Sequence, residues 1–219
     1  MIRPARVSAV AVLLACVLSV VGCGDAGARG PGLPYYADRT FTPAWSPVLH
    51  ATTTHPASDT PFLDQTGVAF TPASARGRVH VVSFVFTRCA AICPPLVSSL
   101  KKVQAATRGA DVMLLSYSVD PRHDSVTVLR EFGVSRGIDA ARWKLLTGTR
   151  AGVHQVARDL YFADDDGMRR TLANPDEFLH TEKLLLVDRG GHIRGIYNGT
   201  QPFEIQKLVE DLMVIAPGS

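Results

Sequence analysis

The sequence predicts an α/β fold: a mixed central sheet flanked by helices, with a terminal β-hairpin and a closing helix. Three observations carry this. Short apolar runs rich in β-branched residues recur at 80–86 (HVVSFVF), 111–119 (DVMLLSYSV) and 183–187 (KLLLV), as strands buried on both faces do. Segments with helical spacing alternate with them, which is the pattern of a layered α/β domain. Between the run at 183–187 and a further one at 192–197 stands Asp188-Arg189-Gly190-Gly191, a hairpin signal.

The elements follow in order. Residues 1–6 form a short basic segment, and 7–21 are almost wholly apolar. That run falls short of the ~20 residues of a membrane span and fits the apolar region of a secretory signal. It ends in Val20-Val21-Gly22-Cys23, which resembles a bacterial lipobox. Cleavage there would remove residues 1–22 and leave Cys23 as the lipidated first residue. Residues 23–45 read as a tether and lead-in, since the stretch from Gly24 onward is rich in Pro, Gly, Ser, Thr and Ala. Tyr35, Tyr36, Phe41 and Trp45 are too apolar for a pure linker, so part of it should pack on the domain, 46–219.

Within that domain, 80–86 is a strand and 94–107 a helix. A strand at 111–119 leads to a helix at 125–132, with Ser125 a fitting cap. A short strand at 143–146 precedes a helix at 150–160. Strands at 183–187 and 192–197 flank the hairpin turn. Residues 203–214 close the chain as a helix, with Ile205, Leu208, Val209 and Leu212 on one stripe. The order β-α-β-α-β-α-β-β-α, with its terminal hairpin and helix, is the thioredoxin-like arrangement.

Composition bounds the function. The chain has 219 residues, 46% hydrophobic and 20% charged, with formal net charge +3. Arg3 and Arg6 supply much of the excess, and no basic face suggests nucleic acid as a partner. Of four cysteines, Cys16 would leave with the signal and Cys23 would carry lipid. Cys89 and Cys93 remain, in an exported and oxidising location. A loop this short makes a poor fold staple, so the pair calls for a chemical role. It lies between a strand and a helix, on the sheet edge where ligands bind in open α/β folds. Helix N-terminal amides favour thiolates there. A thiolate is both a soft-metal ligand and a nucleophile, so metal binding and disulfide exchange are both open at this point.

The stretch VVSFVFTRCAAICPPLVSSL resembles the metal loop of the Sco/SenC family, T-x-C-x-x-x-C-P after an apolar strand. SVDPRHDSVTVLREF resembles that family's V-D-P-x-x-D stretch, and HTEKLLLVDRGGHIRGIYNG its His-Ser/Thr segment with the hairpin. PYYADRTFTPAW resembles the lead-in of some members. The similarity runs from about residue 33 to the closing helix. It implies copper, as Cu(I) or Cu(II), bound by Cys89, Cys93 and His180, and two thiolates with one imidazole suit that metal. It also implies delivery to a copper-receiving oxidase subunit, or another copper protein, at a dinuclear CuA-type centre. The expected setting is the extracytoplasmic side of a bacterial cell membrane, with the chain a monomer held by lipid on Cys23. Where many members carry Pro after the first Cys, this chain has Ala90-Ala91-Ile92.

His123 is the rival third ligand, because it follows the second parallel strand and could share the cysteine edge. His50, His55, His80, His154 and His192 sit in no ligand motif. Asp120 and Asp124 are expected to shape a turn and cap a helix. The acidic run 164–166 reads as a solvated turn. The enzyme reading is a thiol-disulfide oxidoreductase with Cys89 and Cys93 as its redox pair, reducing client cysteines. The C-x-x-x-C spacing, and the absence of Pro from 180 to 187 where a thioredoxin-type cis-Pro is expected, favour the metal. An inert disulfide would leave His180 without a role.

Overall fold

A computed structural model of the chain describes residues 32–45, 58–163 and 181–216. The signal and lipobox residues, Cys23, His50, His55, the acidic run 164–166 and His180 lie outside the described residues.

The expected α/β architecture is present. In chain order the described elements are β1 (Phe62–Asp64), β2 (Ala69–Phe70), β3 (Val79–Val85), α1 (Cys93–Ala106), β4 (Val112–Ser118), α2 (Val126–Arg136), β5 (Trp143–Gly148), α3 (Arg150–Asp159), β6 (Lys183–Val187), β7 (Ile193–Asn198) and α4 (Pro202–Ile215). They build a seven-stranded sheet in the order β2-β1-β5-β4-β3-β6-β7. Its centre is parallel, with β3 on β4 and β4 on β5. Both flanks are antiparallel, through β6 and β7 on one side and β1 and β2 on the other.

All seven residues of β3 and all seven of β4 are buried, because helices cover both faces. Val79, Val81 and Val85 meet Leu96 and Leu100 of α1 and Leu208 and Leu212 of α4 on one face. Val82 and Phe84 meet Val153 and Val156 of α3 on the other. Each such fully buried side chain contributes about 1.5–3 kcal/mol of hydrophobic stabilisation.

Helix α2 extends past its expected end at 132 to Arg136, where Gly137 takes the left-handed conformation at φ 63°. Such a cap stops helices with little backbone cost. The Ser125 hydroxyl accepts from the Val128 N–H at 3.3 Å, as a cap should.

Strands β1 and β2 are additions to the sequence reading. They are short, Leu63 is exposed, and no alternation marks them. Phe62 and Phe70 are buried in the core, and polar side chains fix the strands in place beside β5. Asp64 accepts from the Thr66 and Val68 amides at 2.8 and 3.0 Å and from Lys144 at 2.9 Å. Gln65 bonds the Trp143 carbonyl and the Leu145 amide of β5.

Residues 33–36 of the lead-in pack on the end of the sheet where β3 begins. Tyr36 forms a bridge to Ile193, and Tyr35 one to Ala44. Arg194, 4% exposed, pairs with Asp188 at 3.0 Å. It donates to the Pro34 and Leu33 carbonyls at 3.0 and 2.7 Å and lies 3.8 Å over the Tyr35 ring. Trp45, by contrast, is 70% exposed.

Candidate metal centre

Strands β3 and β4 run parallel, with Val85 beside Ser118, so the loops that follow them emerge side by side. The first carries the cysteines. Its chain turns at once, with the Cys89 N–H donating to the Phe86 carbonyl at 3.2 Å. Helix α1 starts at Cys93, and Pro94 and Pro95 occupy its opening turn, where a missing N–H costs little. The Cys93 N–H donates to the Cys89 sulfur at 3.2 Å. The spacing of four thus brings both side chains to one helix start. Both thiols are free.

Their environments differ. Cys93 is 6% exposed and belongs to the core with Leu96 and Val97. Cys89 is half-buried. Burial alone would raise the Cys89 thiol. Hydrogen bonds from the Cys93 side chain and from the Cys93, Ala91 and Ile92 amides together outweigh it and bring the thiol below its ordinary value. Cys93 is pushed up to about 12, first by burial and then by the Cys89 sulfur and the Asp124 charge, against a hydrogen bond with the Phe86 backbone. The pair therefore offers one accessible sulfur that loses its proton more readily than an ordinary thiol and one sheltered thiol. That set fits a soft metal, and equally an attacking and a resolving sulfur.

The loop after β4 grips the cysteine loop. Asp124, 0% exposed, accepts from the Thr87 hydroxyl at 2.5 Å, the Thr87 amide at 3.1 Å and the Ser118 hydroxyl at 2.6 Å. Asp120 accepts from Arg88 at 2.5 Å. This corrects the expectation that these two acids serve turn and cap. Ser125 alone caps α2, which frees both carboxylates to reach the neighbouring loop. Thr87, Arg88 and Ser118 carry no residue-type signal for this role. Only the parallel pairing of β3 and β4 brings them together.

Among the histidines, His123 sits exposed on this second loop, with its amide donating to the Asp120 carbonyl at 3.1 Å. His80 is buried at the start of β3, its Nδ1 3.0 Å from the Arg78 carbonyl. His192 lies in the hairpin with its Nδ1 3.2 Å from Asp188, and His154 is on α3, across the sheet from α1. Among the described residues no three His, Cys, Asp or Glu side chains are gathered to hold a metal. The chain resumes at Thr181 beside the cysteine helix. The Glu182 carbonyl accepts from the Gly199 N–H at 2.7 Å, and Gly199 lies against Leu96 of α1.

A family model described as SCO1/SenC matches residues 51–216. The crystal structure of a SCO1/SenC family lipoprotein from Bacillus anthracis is 25% identical, with TM-score 0.60, over 73% of this chain and 96% of that one. BsSco, described with a disulfide switch and as a member of the Sco family of cytochrome c oxidase assembly proteins, is 25% identical, with TM-score 0.59, over 71% of this chain and 91% of its own. Yeast Sco1, solved with copper bound, shares the fold at TM-score 0.55 and 22% identity, over 74% of this chain and 90% of that one.

Proposed function

The chain belongs to the SCO1/SenC family, and from that premise we propose that it is an extracytoplasmic, membrane-anchored copper carrier. It takes copper through Cys89, Cys93 and His180 and delivers it to a respiratory oxidase, at a CuA-type centre, during assembly. The observation that carries this reading is the pair of free, adjacent sulfurs at a helix start on the open edge of the sheet. His180 stands two residues before Glu182, and two residues span at most about 7 Å. Glu182 is tied to Gly199, which touches the first turn of the cysteine helix. Two sulfurs and one imidazole fit copper in either oxidation state.

The chemistry of loading follows from the two sulfurs. Cys89 gives up its proton more readily than an ordinary thiol, while Cys93, at about 12, holds its own, so metal uptake by both sulfurs displaces the Cys93 proton. Release to a client proceeds by ligand exchange at the half-buried Cys89. Lipid on Cys23 supplies the anchor. The lipoprotein description of the Bacillus anthracis relative supports that part.

The asymmetry of the sulfurs also favours a second reading, reduction of client cysteines, with Cys89 attacking and Cys93 resolving. Cells carrying wild type, Cys89→Ser with Cys93→Ser, or His180→Ala separate the two at limiting and excess copper. Delivery predicts that both variants lose oxidase assembly at limiting copper and recover at least partly in excess. Normal assembly with His180→Ala at limiting copper, beside a dead cysteine variant, would contradict delivery and leave thiol exchange.

A further inference from the structure

We propose that Asp124 is the positioning residue of the cysteine loop. Its buried carboxylate, reaching across from the loop after β4, grips Thr87 and thereby fixes where Cys89 presents its sulfur. The proposal rests on the reading that Cys89 and Cys93 bind copper.

The cysteine loop's own bonds are local, from its amides to the Cys89 sulfur. Ala90 and Ala91 are exposed and carry no polar side chain, so no side chain there ties the stretch between the sulfurs to the neighbouring loop. The two residues before Cys89 are tied, and both ties run to the same neighbouring loop. They are unequal. Arg88 is 57% exposed where it meets Asp120, and an ion pair that open to water contributes little.

Asp124 is different. It is wholly buried, and its three donors, two from Thr87 and one from Ser118, are all uncharged. Burying a carboxylate without a cation beside it is costly. An apolar side chain could occupy the space without that cost. What the carboxylate uniquely supplies is acceptor capacity for all three donors at once. Two of those bonds converge on one residue, and a two-point grip fixes orientation as well as distance. Thr87 stands two residues before Cys89, and the Asp124 backbone is fixed independently of Ser118, its N–H donating to the Asp120 carbonyl at 2.9 Å. The path from Asp124 through Thr87 to Cys89 runs through two hydrogen bonds and one short stretch of backbone.

Two hydroxyls feed this carboxylate, one from the cysteine loop and one from the sheet, and that permits a matched test. Thr87→Val and Ser118→Ala each remove one donor from Asp124. Copper affinity of the reduced chain is measured by competition with a chelator, together with the thiolate-to-Cu(II) absorption. Positioning predicts that Thr87→Val and Asp124→Ala weaken copper by about 10- to 100-fold, the usual effect of removing a group that orients a ligand, and shift the absorption. Thr87→Ser, which restores the hydroxyl, rescues both. Ser118→Ala lowers the melting temperature but keeps wild-type affinity and absorption. Equal effects of Thr87→Val and Ser118→Ala on affinity would overturn the proposal. A second readout is independent of metal: oxidised glutathione converts the cysteine pair to a disulfide, releasing two molecules of reduced glutathione. Thr87→Val should slow this closure and Ser118→Ala should not. A wild-type chain that takes up no copper would overturn the copper reading, while the closure rates would still decide for or against Asp124.

Discussion

Asp124 and His80 are both buried polar side chains, one in the loop after β4 and the other at the start of β3, and they affect the protein in different ways. Asp124 works on the cysteine loop. His80 works on stability. Burial holds the His80 imidazole down at about 4, against pulls upward from the Arg78 carbonyl and the Asp188 charge and a push downward from the Arg78 charge. In the unfolded chain it titrates near 6.5. Below that pH the unfolded state takes up a proton that the folded state refuses, so folding stability is full above 6.5 and falls as pH drops toward 4. The loss over this window is on the order of 3 kcal/mol. Urea unfolding at pH 7 and pH 5 should show that fall in the wild type and a flatter dependence in His80→Gln. Identical pH dependence in the two would show that His80 does not titrate in this way. At this scale the cysteines were legible in the sequence, because few residue types bind soft metals and their spacing stands out. The role of Asp124 was not. A carboxylate between a strand and a Ser-capped helix reads as a local cap, and its true partner lies 37 residues away.

The long central strands were legible as elements because burial on both faces leaves an unbroken apolar run, as in β3 and β4. Strands β1 and β2 were not, since their place in the sheet rests on Asp64 and Gln65 side chains rather than on an apolar pattern. The turn between β7 and α4 matters more for the site than its sequence suggests. A Cβ on Gly199 would lie 2.1 Å from Leu96 Cδ1 and 3.1 Å from the Glu182 carbonyl oxygen. Leu96 is fully buried and has nowhere to retreat. Gly199→Ala should therefore destabilise the fold by about 1–3 kcal/mol, the range for overpacking a filled core. It should also weaken copper binding, because Leu96 shares the first turns of α1 with Cys93 and Glu182 leads back to His180. A variant with wild-type melting and wild-type copper affinity would show that this contact yields freely.

Viewed whole, the molecule places the cysteine loop and the start of the described lead-in at opposite ends of its strands. The cysteine loop lies where β3 ends. Residues 33–36 of the lead-in dock where β3 begins, held by Arg194 and the Tyr36 bridge to Ile193, while Phe41 lies under Lys183 toward the other end. A strand of seven residues spans about 23 Å, so Leu33 to Tyr36 lie well away from the sulfurs. The central claim is that Cys89, Cys93 and His180 together hold one copper, and the Cu(II) spectrum of the reduced chain tests it most directly. Wild type should bind one Cu(II), with thiolate charge-transfer absorption and nitrogen hyperfine coupling from a single imidazole. The oxidised pair should bind none. His180→Ala should lose the nitrogen coupling and bind Cu(II) more weakly, while the two sulfurs still hold Cu(I). An unchanged Cu(II) spectrum and affinity in His180→Ala would contradict the account and point to His123, or to no histidine, as the third ligand.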